Sequence, residues 1–414
     1  MSVTLGLTRP LLVRTVAVPD PGDLLARLRG PAPYAWVRHG EGLVAWGEAA
    51  RVTVPPGPGR FAWAREWLAQ ALGDADVNDE VRVPGSGPVA FGSFTFDPES
   101  PGSVLAVPAM VLARRGGRAW LTTIGDPPPL GAPAAPLTGG SPGPVRYGDG
   151  SLTAPQWQHA VSLAVRRIRD GELEKVVLAR DLNAVAEHPI DLPLLLSRLG
   201  RRYPACYTFS CAGLVGATPE LLVRHIGEAV ESLVLAGTTA RGATPAEDAA
   251  RGAALRASVK DRHEHTCAVE SVRDALSPLC KDLTVPPEPE LLVLSNVQHL
   301  ASPISGRLSD GASVLDVVSA MHPTAAVGGT PTGRAVEVIR ELEGMDRGRY
   351  AGPVGWIDAH GDGEWGIALR CGSIEGSRAR LFAGCGIMAD SDPAAELAEA
   401  QSKLRVMQDA LEGR

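Results

Sequence analysis

Downstream of Thr153, apolar residues fall at Ala160, Leu163, Ala164 and Ile168, the three-to-four spacing of one helix face. Thr153 is placed to cap that helix and Asp170-Gly171 to stop it. Lys175-Val-Val-Leu-Ala179 is instead a short continuous apolar run, which predicts a buried strand. A helix follows at Leu192–Leu199. Hairpin-linked strands are then predicted at Tyr207–Ser210, Leu214–Val215, Leu221–Arg224 and Leu233–Leu235. A long helical pattern runs from Pro245 to Leu276, with a break predicted near Ser258. Further strands are expected at Leu291–Val297, Gly355–Asp358, Gly366–Leu369 and Ala379–Ala383, and helices at Val314–Met321, Arg334–Glu343 and Pro393–Leu411.

The first 124 residues read as short strands with Gly/Pro turns, such as Tyr34–Val37, Gly42–Trp46 and Arg118–Thr123, with one helix at Arg60–Leu72. The stretch 125–150, dense in proline and glycine, reads as a long loop. Runs of hairpin-linked strands with helices laid on them predict an α+β fold, large antiparallel sheets sandwiched with flanking helices, rather than an alternating βαβ chain. In that reading residues 1–124 contribute to the same fold as residues 151–414. No repeat recurs at a fixed period.

The composition narrows the function classes. A net charge of −7 offers no basic field for nucleic acid. No window approaches the ~20 apolar residues of a membrane-spanning helix. The N-terminal stretch lacks a signal-peptide pattern, and the six cysteines form neither a CxxC pair nor a regular framework. A cytoplasmic protein with reduced thiols is expected. Only four lysines, Lys175, Lys260, Lys281 and Lys403, stand among 36 arginines. Under such a bias a surviving lysine marks a place where arginine does not serve, since an amine can be tuned to lose its proton and guanidinium cannot.

Several common motifs are absent. No lysine follows a glycine, which excludes a GxxxxGK[ST] phosphate loop. His263-Glu-His265 is not an HExxH zinc site, because i and i+2 point apart on a helix. Two carboxylate pairs stand at i, i+3: Asp261 with Glu264, and Glu396 with Glu399, the latter followed by Lys403 at i+4. Two solvated helix faces would look the same, and spacing alone favours them; the functional alternative is a hard-cation site, since magnesium takes oxygen ligands. Gly216–Glu220, Leu235–Gly242, His322–Pro331 and Ala383–Ile387 are dense in small residues, which suits tight turns and equally the close approach of backbone N–H groups to an anion. Glu220 precedes the apolar run Leu221-Leu-Val223, where a carboxyl is expected to keep its proton more readily, as a general acid requires.

The chain then presents, in order, Lys175-Val-Val-Leu-Ala-Arg180, Gly216-Ala-Thr-Pro-Glu-Leu-Leu222, Leu235-Ala-Gly-Thr238, Lys260-Asp-x-x-Glu-His265, Val297-Gln-His-Leu300, His322-Pro-Thr324 with Gly329-Thr-Pro331, Arg349-Tyr350, Leu369-Arg370 and Gly384–Lys403. These resemble the chorismate-utilising enzymes, and most closely their isochorismate synthase branch, over about residues 152 to 410. Phe91-Gly-Ser-Phe-Thr-Phe-Asp-Pro98 resembles a family segment too. The resemblance implies isomerisation of chorismate with Mg²⁺, supplying menaquinone or siderophore biosynthesis. By position it makes Lys175 the base that activates water for attack at C2, and Glu220 the acid that protonates the departing C4 hydroxyl. Glu264 and Glu399 would hold the metal most directly, with Asp261 and Glu396 contributing through water. Arg370, Tyr350 and Lys403 would grip the substrate carboxylates, helped by backbone near Gly237, Thr238, Gly384 and Gly386, with His299 against the ring.

Three positions discriminate within the resemblance. Aminating relatives generally carry Gln where this chain has Lys175. The aminodeoxychorismate branch usually has Lys in place of Ala236, and salicylate synthases, which go on to eliminate pyruvate, typically have Thr at Ala326. The implied product is therefore isochorismate, with no amidotransferase subunit and a monomeric enzyme. Salicylate synthesis and a catalytically silent chorismate-binding protein are the alternatives. Ala325 departs from the proline that isochorismate synthases often carry there. A lysine base also needs help, because an amine ordinarily titrates near ~10.4; burial in the apolar strand is expected to supply it, with Arg180 adding positive potential if it shares that face.

Overall fold

The computed structural model describes residues 11–30, 32–125, 142–294, 297–309 and 311–414. The helices are α1 (Arg60–Leu72), α2 (Ala154–Arg169), α3 (Leu192–Arg202), α4 (Pro245–Ala257), α5 (Val259–Leu276), α6 (Val314–Met321), α7 (Thr332–Leu342) and α8 (Pro393–Glu412). Local chemistry sets several of their ends. Thr153 and Gln156 form a reciprocal capping box at the start of α2, and Arg166, Arg167 and Arg169 face the negative end of its dipole. The predicted break in the long helix is real. Ser258 takes an extended conformation, ends α4, and caps α5 by accepting the Asp261 N–H at 3.2 Å.

Among the described residues the strands form two large sheets. The first has thirteen strands and runs from the edge strand Val145–Asp149 through Lys175–Ala186, Arg378–Ile387, Cys371–Glu375, Leu214–Thr218 and Tyr207–Cys211 into Tyr34–Arg38 and the other N-terminal strands. The second has ten, with Val297–Leu308, Ala229–Ala240, Leu221–Ile226, Gly363–Ile367, Pro353–Asp358 and Val89–Ser93 at its centre. Pairing is antiparallel except between Leu12–Ala17 and Asp76–Asp79. Helices α2, α3, α7 and α8 pack on the first sheet; α1, α4, α5 and α6 cover the second. The sheets meet through Trp36, whose indole N–H donates to Glu364 across the interface at 2.8 Å, and through Tyr34 against Phe91. This is the α+β sandwich expected.

Three local readings change. The stretch 125–150 is not all loop: Val145–Asp149 pairs in full register with Ala186–Leu182, while 126–141 lie outside the described residues. The predicted strand Leu291–Val297 is two elements, Glu290–Val293 and the start of Val297–Leu308. Gly366–Leu369 shifts to Gly363–Ile367, which leaves Leu369 on a connection. Strands such as Ser103–Val107 and Val89–Ser93 escape the alternation test because every residue in them is buried.

One buried ion pair braces the chain behind the sheet. Glu343, at the end of α7, accepts from the Ala179 N–H at 2.7 Å and pairs with Arg347, whose Nε lies 2.8 Å away. Arg347 donates in turn to the Val327 and Val177 carbonyls and lies 4.2 Å from the Phe96 ring centroid. Removing one partner of such a pair strands the other charge. Arg347→Ala is expected to destabilise the protein by about 3–5 kcal/mol in urea unfolding, well beyond an exposed Arg→Ala substitution.

Candidate active site

Of the several points at which the chain crosses from one sheet to the other, two are neighbours, and both of these carry ionisable side chains. Leu214–Thr218 belongs to the first sheet and Leu221–Ile226 to the second, with Pro219-Glu220 between them. Gly363–Ile367 belongs to the second and Cys371–Glu375 to the first, with Ala368-Leu369-Arg370 between them. The crossings are stitched together: Thr218 Oγ1 donates to the Ile367 carbonyl at 2.6 Å, and the Ala217 and Ile367 N–H groups donate to Arg370 and Glu220 carbonyls at 3.2 Å each. Contact is so close that a Cβ on Gly216 would fall 2.5 Å from Cys371 Cβ, and one on Gly366 would fall 2.8 Å from the Glu220 carbonyl oxygen. Arg370 itself holds φ at +48°, a conformation that costs a non-glycine residue about 1–3 kcal/mol.

A cavity of about 140 Å³ opens at these crossings. It is lined by Glu220, Ala236, Gly237, Thr238, Asp261, Glu264, His299, Ala326, Tyr350, Arg370, Gly384, Gly386, Glu396, Glu399 and Lys403. Lys175, the remaining candidate, is fully buried and reaches the same place, its Nζ 2.8 Å from Glu264 Oε1. Thus all sixteen residues singled out in the sequence converge, although they are spread from 175 to 403. Strand pairing explains part of this: Val176–Val185 runs against Ile387–Arg378, which lays Gly384 and Gly386 beside the start of the Lys175 strand. A Cβ on Gly386 would stand 3.0 Å from Lys175 Cε and 2.9 Å from Glu264 Oε1, so only glycine leaves room for the pair. Arg180 lies five positions along the strand from Lys175, hence on the opposite face, and pairs with Asp149 at 3.7 Å. It adds nothing to the cavity.

Two charged lining residues carried no assigned role in the sequence: Lys260 and Arg347. The rarity of lysine was the one available signal for Lys260. Nothing in the run Asp346-Arg-Gly-Arg-Tyr350 distinguishes Arg347 from its neighbour Arg349, which points elsewhere, to the Cys211 and Ala212 carbonyls.

The electrostatics divide the cavity. Burial drives the Glu220 carboxyl up to about 7, against the pull of Lys175, Arg370 and Lys403. Burial, reinforced by Arg370 and Lys403, pushes His299 down to about 3, so its ring is neutral. His299 Nδ1 is 2.9 Å from Thr238 Oγ1, and its buried Nε2 has no partner among the described residues. At the other end, the carboxylates of Glu396 and Glu399 lie within 4.8 Å of each other and of Cys385 Sγ. Burial raises Glu396, with Glu399 adding to the effect although Ser391 donates to it at 2.7 Å. Removal from water works against ionisation of Glu399, yet Lys403, 2.6 Å away, and Arg370 outweigh it. Lys403 also donates to the Gly384 carbonyl at 2.8 Å. Four carboxylates from α5 and α8 facing one cavity form an all-oxygen donor set, and that fits a hard divalent cation such as magnesium.

Residues 146–412 match the model of the family described as chorismate binding enzymes. The salicylate biosynthesis isochorismate synthase of Pseudomonas aeruginosa is 36% identical over 443 residues, covering 98% of this chain and 91% of its own length. Among solved structures, MenF, the menaquinone-specific isochorismate synthase of Escherichia coli, is similar with a TM-score of 0.81 and 27% identity, over 97% of this chain and 94% of that one. Anthranilate synthase component I of Streptococcus pneumoniae, at 20% identity and a TM-score of 0.70, shares the fold.

The raised Glu220 makes folding pH-dependent. Its carboxyl titrates in the folded chain above its ordinary value of 4.5, so the fold loses stability as pH rises from there through about 7. Glu220→Gln removes that loss. The variant is expected to match the wild type in urea unfolding near pH 4.5 and to exceed it at pH 8 by roughly 3 kcal/mol at most.

Proposed function

The chain belongs to the chorismate-binding enzyme family, and on that premise we propose that it isomerises chorismate to isochorismate by adding water at C2 and expelling the C4 hydroxyl. The observation that carries this reading is the pairing of a buried amine and a protonated carboxyl at one cavity. Lys175 enters from the first sheet beside Glu264, and Glu220, protonated to about pH 7, sits on the crossing between the sheets. Lys175 takes a proton from the attacking water and Glu220 gives one to the leaving hydroxyl. One hydroxyl enters and one leaves, while the ring double bonds shift, so no redox partner is needed. Arg370, Lys403 and Tyr350 suit the two substrate carboxylates, and the neutral His299 presents an uncharged face to the ring.

Glu264 and Glu399, with Asp261 and Glu396 behind them, would hold the Mg²⁺. When bound it neutralises and orients the ring carboxylate. Lys175 acts as a base only when its ammonium gives up the Glu264 carboxylate that it now holds. Ala236 and Ala326 place no amine and no hydroxyl in the cavity wall, which supports arrest at isochorismate without amination or pyruvate loss. The same reading carries a cytoplasmic monomer without an amidotransferase subunit; no helix among the described residues is long and apolar enough to cross a membrane.

Purified protein given chorismate and Mg²⁺ is expected to yield isochorismate without net pyruvate, to stop on chelation and to resume on re-addition of Mg²⁺. Stoichiometric pyruvate with salicylate would establish the lyase alternative instead. Lys175→Ala and Glu220→Gln should each lower kcat by about 10²–10⁴; unchanged turnover in both would overturn the acid–base assignment, and no turnover by the wild type would leave only a binding protein. Because Glu220 must be protonated, kcat/KM should fall on the alkaline side of about pH 7, roughly tenfold per pH unit.

A further inference from the structure

His263 and His265 point apart on α5, as their spacing requires. His265 turns inward to the Ala236 carbonyl and Ser302 Oγ, while His263 turns outward. There His263 meets Cys267, one helical turn on, with Nε2 3.9 Å from Sγ. Glu174, from the residue before the Lys175 strand, closes the group, so that one ligand atom from each of the three lies within 4.8 Å of the others. From this geometry we propose that Glu174, His263 and Cys267 form a second metal site, outside the catalytic cavity, for a borderline-soft divalent cation of the zinc type.

The donor set decides the ion. One sulfur, one imidazole nitrogen and one carboxylate oxygen suit zinc and disfavour magnesium, which takes oxygen ligands. Tetrahedral zinc with Zn–S of ~2.3 Å and Zn–N of ~2.0–2.1 Å sets sulfur and nitrogen about 3.6 Å apart, close to the spacing already present. His263 and Cys267 share a helix face at i, i+4, and the Glu174 backbone is anchored by its N–H to the Thr330 carbonyl at 2.8 Å. Glu174 and His263 are exposed and Cys267 is partly buried, which leaves the fourth position open to water. Glu174 is exposed where Lys175 is buried, so the site stands on the outer side of the junction whose inner side holds Lys175 against Glu264.

The test is zinc binding by equilibrium dialysis in excess Mg²⁺, which keeps the carboxylate cavity filled. The wild type is expected to hold one equivalent, and His263→Ala, Cys267→Ser and Glu174→Ala each to weaken it by at least about tenfold, while zinc-free turnover stays at the wild-type level. Cobalt(II) serves as a second probe, giving a thiolate-to-metal charge-transfer band in the wild type that Cys267→Ser abolishes. No zinc uptake, or uptake equal in wild type and variants, would overturn the site. So would a cobalt spectrum without a thiolate band. Binding is read without any turnover of chorismate, so its failure is separate from a failure of the proposed reaction.

Discussion

The Lys175–Glu264 ion pair is the contact on which the cavity turns. Lys175 belongs to the first sheet, and Glu264 to the helix covering the second, so this single 2.8 Å pair joins the two halves across the space where a substrate must fit. A buried amine without a counter-charge would carry a large desolvation penalty. Glu264 removes it, and Gly386 leaves the volume in which the two can meet. The remaining charges follow the same logic, with Lys403 balancing Glu399 and the Glu343–Arg347 pair holding the loop at Ala326-Val327 in place from behind.

Chemistry gathers where the chain changes sheets. Within a sheet, backbone groups are consumed by the ladder and side chains are packed on both faces. At a crossing the ladder lapses, and a short connection can aim a polar side chain into the gap between layers. Glu220 and Arg370 occupy two such crossings that pack on each other through glycine contacts. The left-handed backbone at Arg370 is the strain that this arrangement stores.

The environment differs sharply over a few ångströms, and that contrast separates the roles. Glu220 sits beside apolar strand residues and keeps its proton to about pH 7, although three cations are near enough to oppose this. Glu399, with Lys403 in direct contact, stays ionised. One wall thus offers a proton donor while another presents a charged carboxylate, from the same residue type.

Much of this was legible in the chain. Local residue pattern located α1 and α6 to the residue, and marked a boundary near Ser258, because such signals act within one or two helical turns. Ordered short motifs identified sixteen residues that converge on the cavity, and the scarcity of lysine drew attention to four, of which Lys175, Lys260 and Lys403 reach it. Only the tertiary structure decided who faces whom. Spacing left the acidic pairs on α5 and α8 indistinguishable from solvated faces, because a carboxylate's role is also set by partners from other elements, as Lys175 meets Glu264 across 89 residues. Whether Arg180 adds potential beside Lys175 was open until the strand set the two, five positions apart, on opposite faces. The buried strands of the N-terminal part and the bracing role of Arg347 were hidden for the same reason: uniform burial erases alternation, and a long-range ion pair has no local signature. Local sequence determines which elements form; burial and charge balance between distant segments determine what they do.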